Sequence, residues 1–200
     1  MRVVAGKARG LKLSTIEGNS TRPTKDMVKE ALFSIISDKV YDSVFLDLFA
    51  GSGAIGIEAL SRGAKEAVFV DNNKDCIKVI NENLSKAKMA VYSTICNMDY
   101  ITALNKLNDR KFDIIFIDPP YNKGMGVLAI EKVSQEELLA DGGIIVYESD
   151  KVEVVPEVIG RYKRYNYKKY GRNILNFYSM DEWQLFYSWK GLLIWKCLHY

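Results

Sequence analysis

The sequence predicts a doubly wound α/β fold, in which an open, mostly parallel sheet of seven strands carries helices on both faces. Five apolar β-prone runs alternate with helical segments between residues 44 and 150, and this alternation is typical of βαβ units. Two further β-prone runs meet near Gly171 and predict a terminal antiparallel hairpin. Two short β-prone runs around a basic turn predict a small N-terminal β-hairpin.

The elements are expected in the following order. The stretch TRPTKDMVKEALFSIIS is expected to be helical, with Thr24 as its candidate N-cap, because Val28, Leu32 and Ile35 lie on one apolar face at helical spacing. The five parallel strands are VFLDLF, EAVFVD, VYSTIC, FDIIFID and GGIIVYES, and helices fill the segments between them.

The chain is expected to divide into three parts, of which the middle one, residues 23–180, is a single compact domain. Residues 1–22 form the basic hairpin extension. Residues 181–200 form a tail that contains all three tryptophans. The tail is interpreted as an appended packing element, and a partner-binding peptide or an artefact of readthrough or cloning are the alternatives.

The composition argues against several classes of protein. The three cysteines form no CxxC pair, which disfavours a disulfide scaffold or zinc site and favours a reducing compartment, so a cytoplasmic location is expected. Because His199 is the single histidine, a histidine-based triad or metal cluster is not expected. The N-terminus lacks the apolar core of a signal peptide, and no apolar run reaches the ~18 residues of a membrane span.

The net charge of +3 is distributed unevenly. Residues 1–40 carry a balance of +4, residues 41–150 a balance of −6 and residues 151–180 a balance of +5. Basic flanks around an acidic centre indicate that the flanks contact a polyanion while the centre binds something else. Chance segregation of charge in such short segments is the alternative.

A glycine motif follows the first predicted strand. Gly51, Gly53 and Gly56 open a helix with the spacing GxGxxG, and Asp71 ends the next strand twenty residues after Gly51. This context predicts a nucleotide-containing ligand, with Asp71 accepting hydrogen bonds from ribose hydroxyls. Asp47 precedes the glycines, where a carboxylate disfavours a pyrophosphate and suits an ammonium or sulfonium group. Glycines that serve only strand–helix packing are the alternative.

The stretch FDIIFIDPPYNKG ends a predicted buried strand abruptly. Neither Pro119 nor Pro120 has the N–H that pairs in a central strand, so Asp118 is expected at the strand tip, with Tyr121 after a stiff turn. Such stiffness is useful where a carboxylate, a backbone carbonyl and an aromatic ring meet a ligand in one fixed geometry. An ordinary strand-ending turn is the alternative.

Together these motifs resemble S-adenosylmethionine-dependent methyltransferases of the Rossmann-like class I, and more closely the bacterial RsmD family. The resemblance covers roughly residues 1–180, in the blocks RVVAGKARGLKL, TRPTKDMVKEALFSII, LDLFAGSGAIGIEALSRGA, IDPPY and KKYGRNILNFY. It implies S-adenosylmethionine as cofactor and N2 of a guanine in 16S ribosomal RNA, guanine 966, as the methyl acceptor. It also implies a small-subunit assembly intermediate as partner, and nothing in the sequence demands more than a monomer.

The resemblance further assigns roles to single residues. The implied cofactor-binding residues are Asp47, Phe49, Gly51, Ser52 and Gly53 for the methionine moiety, Asp71 for the ribose, and Asn72 and Asp99 for the adenine. Asp99 equally suits the N-cap of the following helix. The implied catalytic residues are Asp118, Pro119, Pro120 and Tyr121.

The catalytic interpretation has a chemical basis. The exocyclic NH₂ of guanine is a poor nucleophile because its lone pair is delocalised into the ring. Two acceptors aimed at its N–H bonds, the Asp118 carboxylate and the Pro119 carbonyl, favour a tetrahedral nitrogen with a localised lone pair. Tyr121 is expected to stack on the base, a contact worth ~1–3 kcal/mol. This chemistry requires no metal and no covalent enzyme intermediate.

The basic flanks are expected to contact RNA. The candidate residues are Arg2, Lys7, Arg9 and Lys12 in the first hairpin, Arg22 beside the active site, and Lys168, Lys169 and Arg172 in the terminal hairpin. A strand with one solvated basic face is an equal alternative for the terminal cluster. The competing functions are an adenine-N6 methyltransferase acting on DNA or RNA, a nicotinamide-dependent oxidoreductase, which Asp47 disfavours, and a silent RNA-binding module.

Overall fold

The computed structural model describes residues 1–15, 23–120 and 124–180. Several sequence-based predictions lie outside these ranges, namely those for Tyr121, Arg22 and the tail 181–200, and the side chain of Thr24 is not described either. Within the described part of the chain, no helix is long and apolar enough to cross a membrane.

One mixed sheet forms the centre of the molecule. Its strands are β1 (Val44–Leu48), β2 (Glu66–Asp71), β3 (Ser93–Asn97), β4 (Phe112–Ile117), β5 (Leu139–Asp150), β6 (Val158–Ile159), β7 (Tyr162–Tyr170) and β8 (Asn173–Met180). Their order in the sheet is β3-β2-β1-β4-β5-β8-β7-β6. The first five strands pair in parallel, and β8, β7 and β6 pair in antiparallel fashion.

The predicted doubly wound fold is confirmed, but in the part of the chain that the structure describes its seven strands become eight. The extra strand, β6, pairs with β7 through only two residues, which is too short to show a period-2 pattern in the sequence. The terminal hairpin is also confirmed, because β7 and β8 pair closely and turn at Gly171, whose φ of 62° suits glycine.

Helices cover both faces of the sheet. In the described part of the chain the α-helices are α1 (Pro23–Ile35), α2 (Ser37–Val40), α3 (Ala54–Ser61), α4 (Lys74–Ala87), α5 (Tyr100–Lys106) and α6 (Met125–Gln135), and a short 3-10 helix at Ala90–Tyr92 precedes β3. On one face Leu32, Ile57 and Ile80 of α1, α3 and α4 pack into a single apolar core. On the other face Leu104 and Ile130 of α5 and α6 belong to a second core.

The prediction that Thr24 caps helix α1 is wrong. The helix begins at Pro23, so Thr24 is its second residue. Proline is favoured at the first position of a helix, because its missing N–H would have no intrahelical partner and its φ is already helical.

The N-terminal segment 1–15 forms a turn with a single antiparallel bridge, between Arg2 and Lys12, in place of two extended strands. Its inner edge pairs with helix α3 of the domain. The Val4 and Ala5 N–H groups donate to the Glu58 carboxylate at 2.8 and 3.0 Å, and the Ser61 hydroxyl donates to the Ala5 carbonyl. The hairpin is therefore attached to the sheet domain by partly buried hydrogen bonds.

Candidate active site

The order of the strands reverses between β1 and β4, and in open α/β sheets ligands bind at the carboxyl ends of the strands beside such a reversal. Two neighbouring cavities that share lining residues open there. The wider one, of about 460 Å³, is lined by residues of β2, α5 and the segment after β4, including Asp71, Asn72, Asp99, Pro119 and Pro120. The narrower one, of about 130 Å³, is lined by Asp47, Ser52, Lys29, Glu148 and others, and Phe49, Gly51 and Asp118 line both.

Asp47 is the buried carboxylate of the narrower cavity. It is 2% exposed and accepts a hydrogen bond of 3.0 Å from the Gly56 N–H in the first turn of α3. Burial raises the pKa of Asp47 to about 7; the Gly56 hydrogen bond opposes the increase, and the charges of Asp118 and Asp71 add to it. A cationic group in the cavity would restore the ionised form, so Asp47 fits a ligand that carries an ammonium or sulfonium group.

The glycines of the loop differ in their surroundings, which bears on the two alternatives of ligand binding and strand–helix packing. A Cβ at Gly56 would lie 2.3 Å from a ring carbon of Phe69, so this glycine serves close packing of α3 on β2. Gly51 has a φ of 56°, and a Cβ there would meet no atom within 4 Å. Gly51 therefore supplies a left-handed turn that faces the cavities, whereas Gly56 is a packing residue.

Phe49 occupies an unusual backbone conformation directly after β1. Its φ is 85°, which costs a non-glycine residue roughly 1–3 kcal/mol and is typical of functional sites. Its ring lies 5.1 Å from the ring of Tyr100, so the two aromatic side chains form a wall of the wider cavity.

Asp71 at the end of β2 and Asp99 after β3 both accept hydrogen bonds from backbone N–H groups. Asp71 accepts from the Gly51 N–H at 2.9 Å and from the Asn73 N–H at 2.8 Å, and it thereby holds the glycine loop against β2. Asp99 caps helix α5, because it accepts from the N–H and the hydroxyl of Thr102. The N-cap interpretation of Asp99 is confirmed. Since Asp71, Asp99 and the exposed Asn72 all line the wider cavity, their predicted contacts with an adenosine are compatible with the structure.

Strand β4 ends at Ile117, and the half-buried Asp118 follows it at the carboxyl edge of the sheet. Pro119 is buried and Pro120 is exposed, and both line the wider cavity. The strand-tip position predicted for Asp118 is confirmed, and it lies where the two cavities meet.

Sequence reasoning missed Glu148, which lies in β5 on the wall of the narrower cavity and is only 7% exposed. An acidic residue inside the apolar run of GGIIVYES was the available signal. It missed Asn83 as well, a fully buried residue of α4. The Asn83 side chain donates to the Ser14 and Ser52 carbonyls and accepts from the Ser14 N–H, so it joins the end of the N-terminal hairpin to the glycine loop.

The candidate RNA-binding residues are mostly accessible. Arg2, Lys7, Arg9 and Lys12 are exposed on the N-terminal hairpin, and Lys168, Lys169 and Arg172 are exposed on the terminal hairpin. Arg172 also pairs with Asp150 at 3.0 Å, and Lys169 lies over the ring of Tyr167.

The fold and the ligand-compatible residues at its strand reversal define a class I methyltransferase that uses S-adenosylmethionine. The family model described as conserved hypothetical protein 95 matches residues 1–179, and the chain belongs to this family, the RsmD family.

Individual relatives and a solved structure agree with this assignment. The chain is 37% identical over 162 residues to the putative rRNA methyltransferase YlbH of Bacillus subtilis, in a match that covers 80% of this chain and 88% of the relative. It is 30% identical over 181 residues to ribosomal RNA small subunit methyltransferase D of Escherichia coli K12, in a match that covers 90% of each chain. The solved structure of the putative methyltransferase yhhF from Escherichia coli has a TM-score of 0.81 and 31% identity, and the match covers 90% of this chain and 98% of that one.

Proposed function

We propose that this protein is a ribosomal RNA methyltransferase that methylates the exocyclic N2 of a guanine in 16S ribosomal RNA, with guanine 966 as the favoured position. The observation that carries the proposal is the location of Asp118 and Pro119 at the tip of β4, on the wall of the cavity that Asp71 and Asn72 also line. The names of the relatives support an RNA of the small ribosomal subunit as substrate.

The chain's own residues supply orientation and hydrogen bonding for this reaction. When bound, S-adenosylmethionine supplies a methyl group activated by a sulfonium charge. The Asp118 carboxylate and the Pro119 carbonyl accept hydrogen bonds from the two N–H groups of the guanine amine. These hydrogen bonds localise the lone pair of the amine on its nitrogen. Methyl transfer would break the carbon–sulfur bond of the cofactor as the N2–carbon bond forms, and N2 would lose one proton to Asp118 or to water. Asp47 and the loop at Gly51 hold the methionine end of the cofactor.

The two basic hairpins give the proposed RNA substrate its contacts. Met1 and Thr15 of the N-terminal hairpin line the narrower cavity, so an RNA held by Arg2, Arg9 and Lys12 lies close to it. The proposed partner is a small-subunit assembly intermediate, which a monomer of this protein binds. Extrusion of the target base costs a few kcal/mol and exposes its edge to Asp118.

The first experiment measures transfer of tritium from S-adenosylmethionine to small-subunit assembly intermediates from a strain that lacks the endogenous activity. Label is expected in N2-methylguanosine after digestion. Asp118→Ala is expected to lower kcat/KM by about 10²–10⁴ while cofactor binding persists. The matched control is Asp109→Ala, because Asp109 is exposed in the turn before β4, at the opposite end of that strand.

The outcome also decides between acceptors. Label in N6-methyladenosine would retain the role of Asp118 and replace guanine by adenine. Full activity of Asp118→Ala would contradict the proposed mechanism, and loss of activity in Asp109→Ala as well would show that the substitutions act through folding.

A further inference from the structure

Glu148 lies beside Asp118 because of the register between β4 and β5. Ile117 pairs with Tyr147, so the next residues along the two parallel strands, Asp118 and Glu148, are neighbours. Adjacent strands lie about 4.8 Å apart, and paired residues point to the same face of a sheet. Both side chains line the narrower cavity, so they form two adjacent acceptors at the carboxyl edge of the sheet.

The Glu148 side chain is held from the neighbouring strand. The Asn173 amide at the start of β8 donates to its Oε1, and Leu175 pairs with it across the sheet. A carboxylate has about four acceptor positions, so the bond from Asn173 does not by itself exclude a further bond from a ligand. Glu148 is only 7% exposed, and in such surroundings a hydrogen bond is electrostatically stronger than in water and an unmatched polar group is more costly.

We propose that Glu148 determines the specificity for guanine by accepting a hydrogen bond from N1–H of the target base. This inference rests on the proposed function, in which Asp118 and Pro119 accept the hydrogen bonds of N2. N1–H and N2–H are adjacent donors on the Watson–Crick edge of guanine, and Asp118 and Glu148 are adjacent acceptors. In adenine the ring nitrogen beside the amine is a hydrogen-bond acceptor. It would therefore be repelled by the Glu148 carboxylate, which is also an acceptor.

The contact at N1 can be isolated with a base analogue. 2-Aminopurine keeps the exocyclic amine at position 2 but has an unprotonated N1. Small-subunit RNA built by splinted ligation, with guanosine or 2-aminopurine ribonucleoside at the methylated position, is reconstituted into subunits and methylated by the full-length protein. The readout is the ratio of kcat/KM for the two bases, since a hydrogen bond to a charged group is worth about 10–100-fold in this ratio.

Glu148→Gln is expected to reduce the guanine preference to within about threefold, because the glutamine amide can donate to the N1 of 2-aminopurine. Glu148→Asp, which keeps a carboxylate, is expected to be slower but to retain the preference. The control is Glu131→Gln, an exposed position on α6, which should behave as the wild type. Cofactor titration and thermal unfolding verify that each variant is folded.

The outcomes separate this inference from the function on which it rests. If the wild type methylates guanine and Glu148→Gln leaves the ratio unchanged, including by slowing both bases equally, Glu148 does not read N1 and only the inference fails. If the wild type methylates adenine at N6, the proposed function and the inference both fail. A collapsed ratio in Glu148→Gln, together with a retained ratio in Glu148→Asp, establishes the contact.

Discussion

Two buried carboxylates of this protein show how the surroundings of a residue indicate its role. Burial by itself raises the pKa of Glu58, but hydrogen bonds from Val4, Arg62 and Lys29 outweigh it and hold the pKa below its ordinary value. Asp47 accepts one backbone hydrogen bond and its pKa rises. The partners of Glu58 lie within the protein and offset its burial, whereas we propose that a cationic ligand would offset the burial of Asp47.

The pKa of about 7 for Asp47 predicts that cofactor affinity depends on pH. Because the ionised form binds the cation, affinity is expected to fall about tenfold for each pH unit below about 7 and to level off above it. In Asp47→Asn the affinity is expected to be low and independent of pH in this range. Calorimetric titration of S-adenosylmethionine into the wild type and the variant on either side of neutrality measures both effects.

Folding stability provides the control for Asp47→Asn. The pKa in the folded state lies above the ordinary value of 3.8, so the folded state binds the proton more tightly than the unfolded chain. The free wild-type protein therefore loses stability as the pH rises from about 4 to about 7, and the variant lacks this loss. Urea unfolding should show Asp47→Asn to be the more stable protein at neutral pH; a variant that is less stable there would contradict the assigned pKa.

At the scale of elements, the N-terminal hairpin depends on helices α1 and α3. Glu58 of α3 is 0% exposed and binds Lys29 of α1 at 3.1 Å, and the Lys29 ammonium also donates to the Arg2 carbonyl. Gly6 approaches α3 so closely that a Cβ there would lie 1.8 Å from the Ser61 carbonyl oxygen. The polar network of Glu58 and Lys29 therefore holds the N-terminal hairpin against helices α1 and α3.

Glu58→Ala is expected to destabilise the protein by roughly 3–5 kcal/mol, because it leaves the Lys29 ammonium buried without its carboxylate and two backbone N–H groups without an acceptor. Urea unfolding measures the loss, and hydrogen exchange should increase first in residues 1–13. The control is Asp75→Ala, which removes the exposed pair between Asp75 and Lys78 and should cost under about 1 kcal/mol. Equal costs for the two variants would contradict the role assigned to Glu58.

For the whole molecule, the two basic hairpins flank the same edge of the sheet. Asp150, at the carboxyl end of β5, pairs with Asn173, so the turn between β7 and β8 lies at the carboxyl edge, beside Glu148. Met1 and Thr15 bring the N-terminal hairpin to the same cavity. The acidic centre and basic flanks of the sequence thereby become a cavity lined by carboxylates between two basic surfaces.

This arrangement predicts a salt dependence for RNA binding. Replacing Lys168 and Lys169 by glutamine should reduce the slope of log Kd against log salt by roughly 0.7–0.9 for each lost phosphate contact. Binding to small-subunit RNA at a series of salt concentrations measures the slope. The control replaces Lys65 and Lys111, which are exposed at the amino ends of β2 and β4, and should leave the slope unchanged. An identical slope for all variants would show that the terminal hairpin is only a solvated basic face.

The sequence by itself determined the alternation of strands and helices between residues 44 and 150, the glycine turn at Gly51 and the strand tip at Asp118. These features depend on local periodicity, on glycine's access to positive φ and on the missing N–H of proline, all of which are properties of short segments. The eighth strand was missed because a strand of two residues is too short to show a period-2 pattern. The start of α1 at Pro23 was missed because a sequence pattern locates a helix boundary only to within one or two residues.

Only the tertiary structure decided which distant residues meet. The register between β4 and β5 places Glu148 beside Asp118, and the burial of Asn83 joins Ser14 to the loop at Ser52. These contacts join residues between 30 and 69 positions apart in the chain, and no local pattern specifies such pairs. These long-range contacts are fixed by the packing of the helices on the sheet. A polar group that this packing buries forms hydrogen bonds with whichever groups the fold brings beside it.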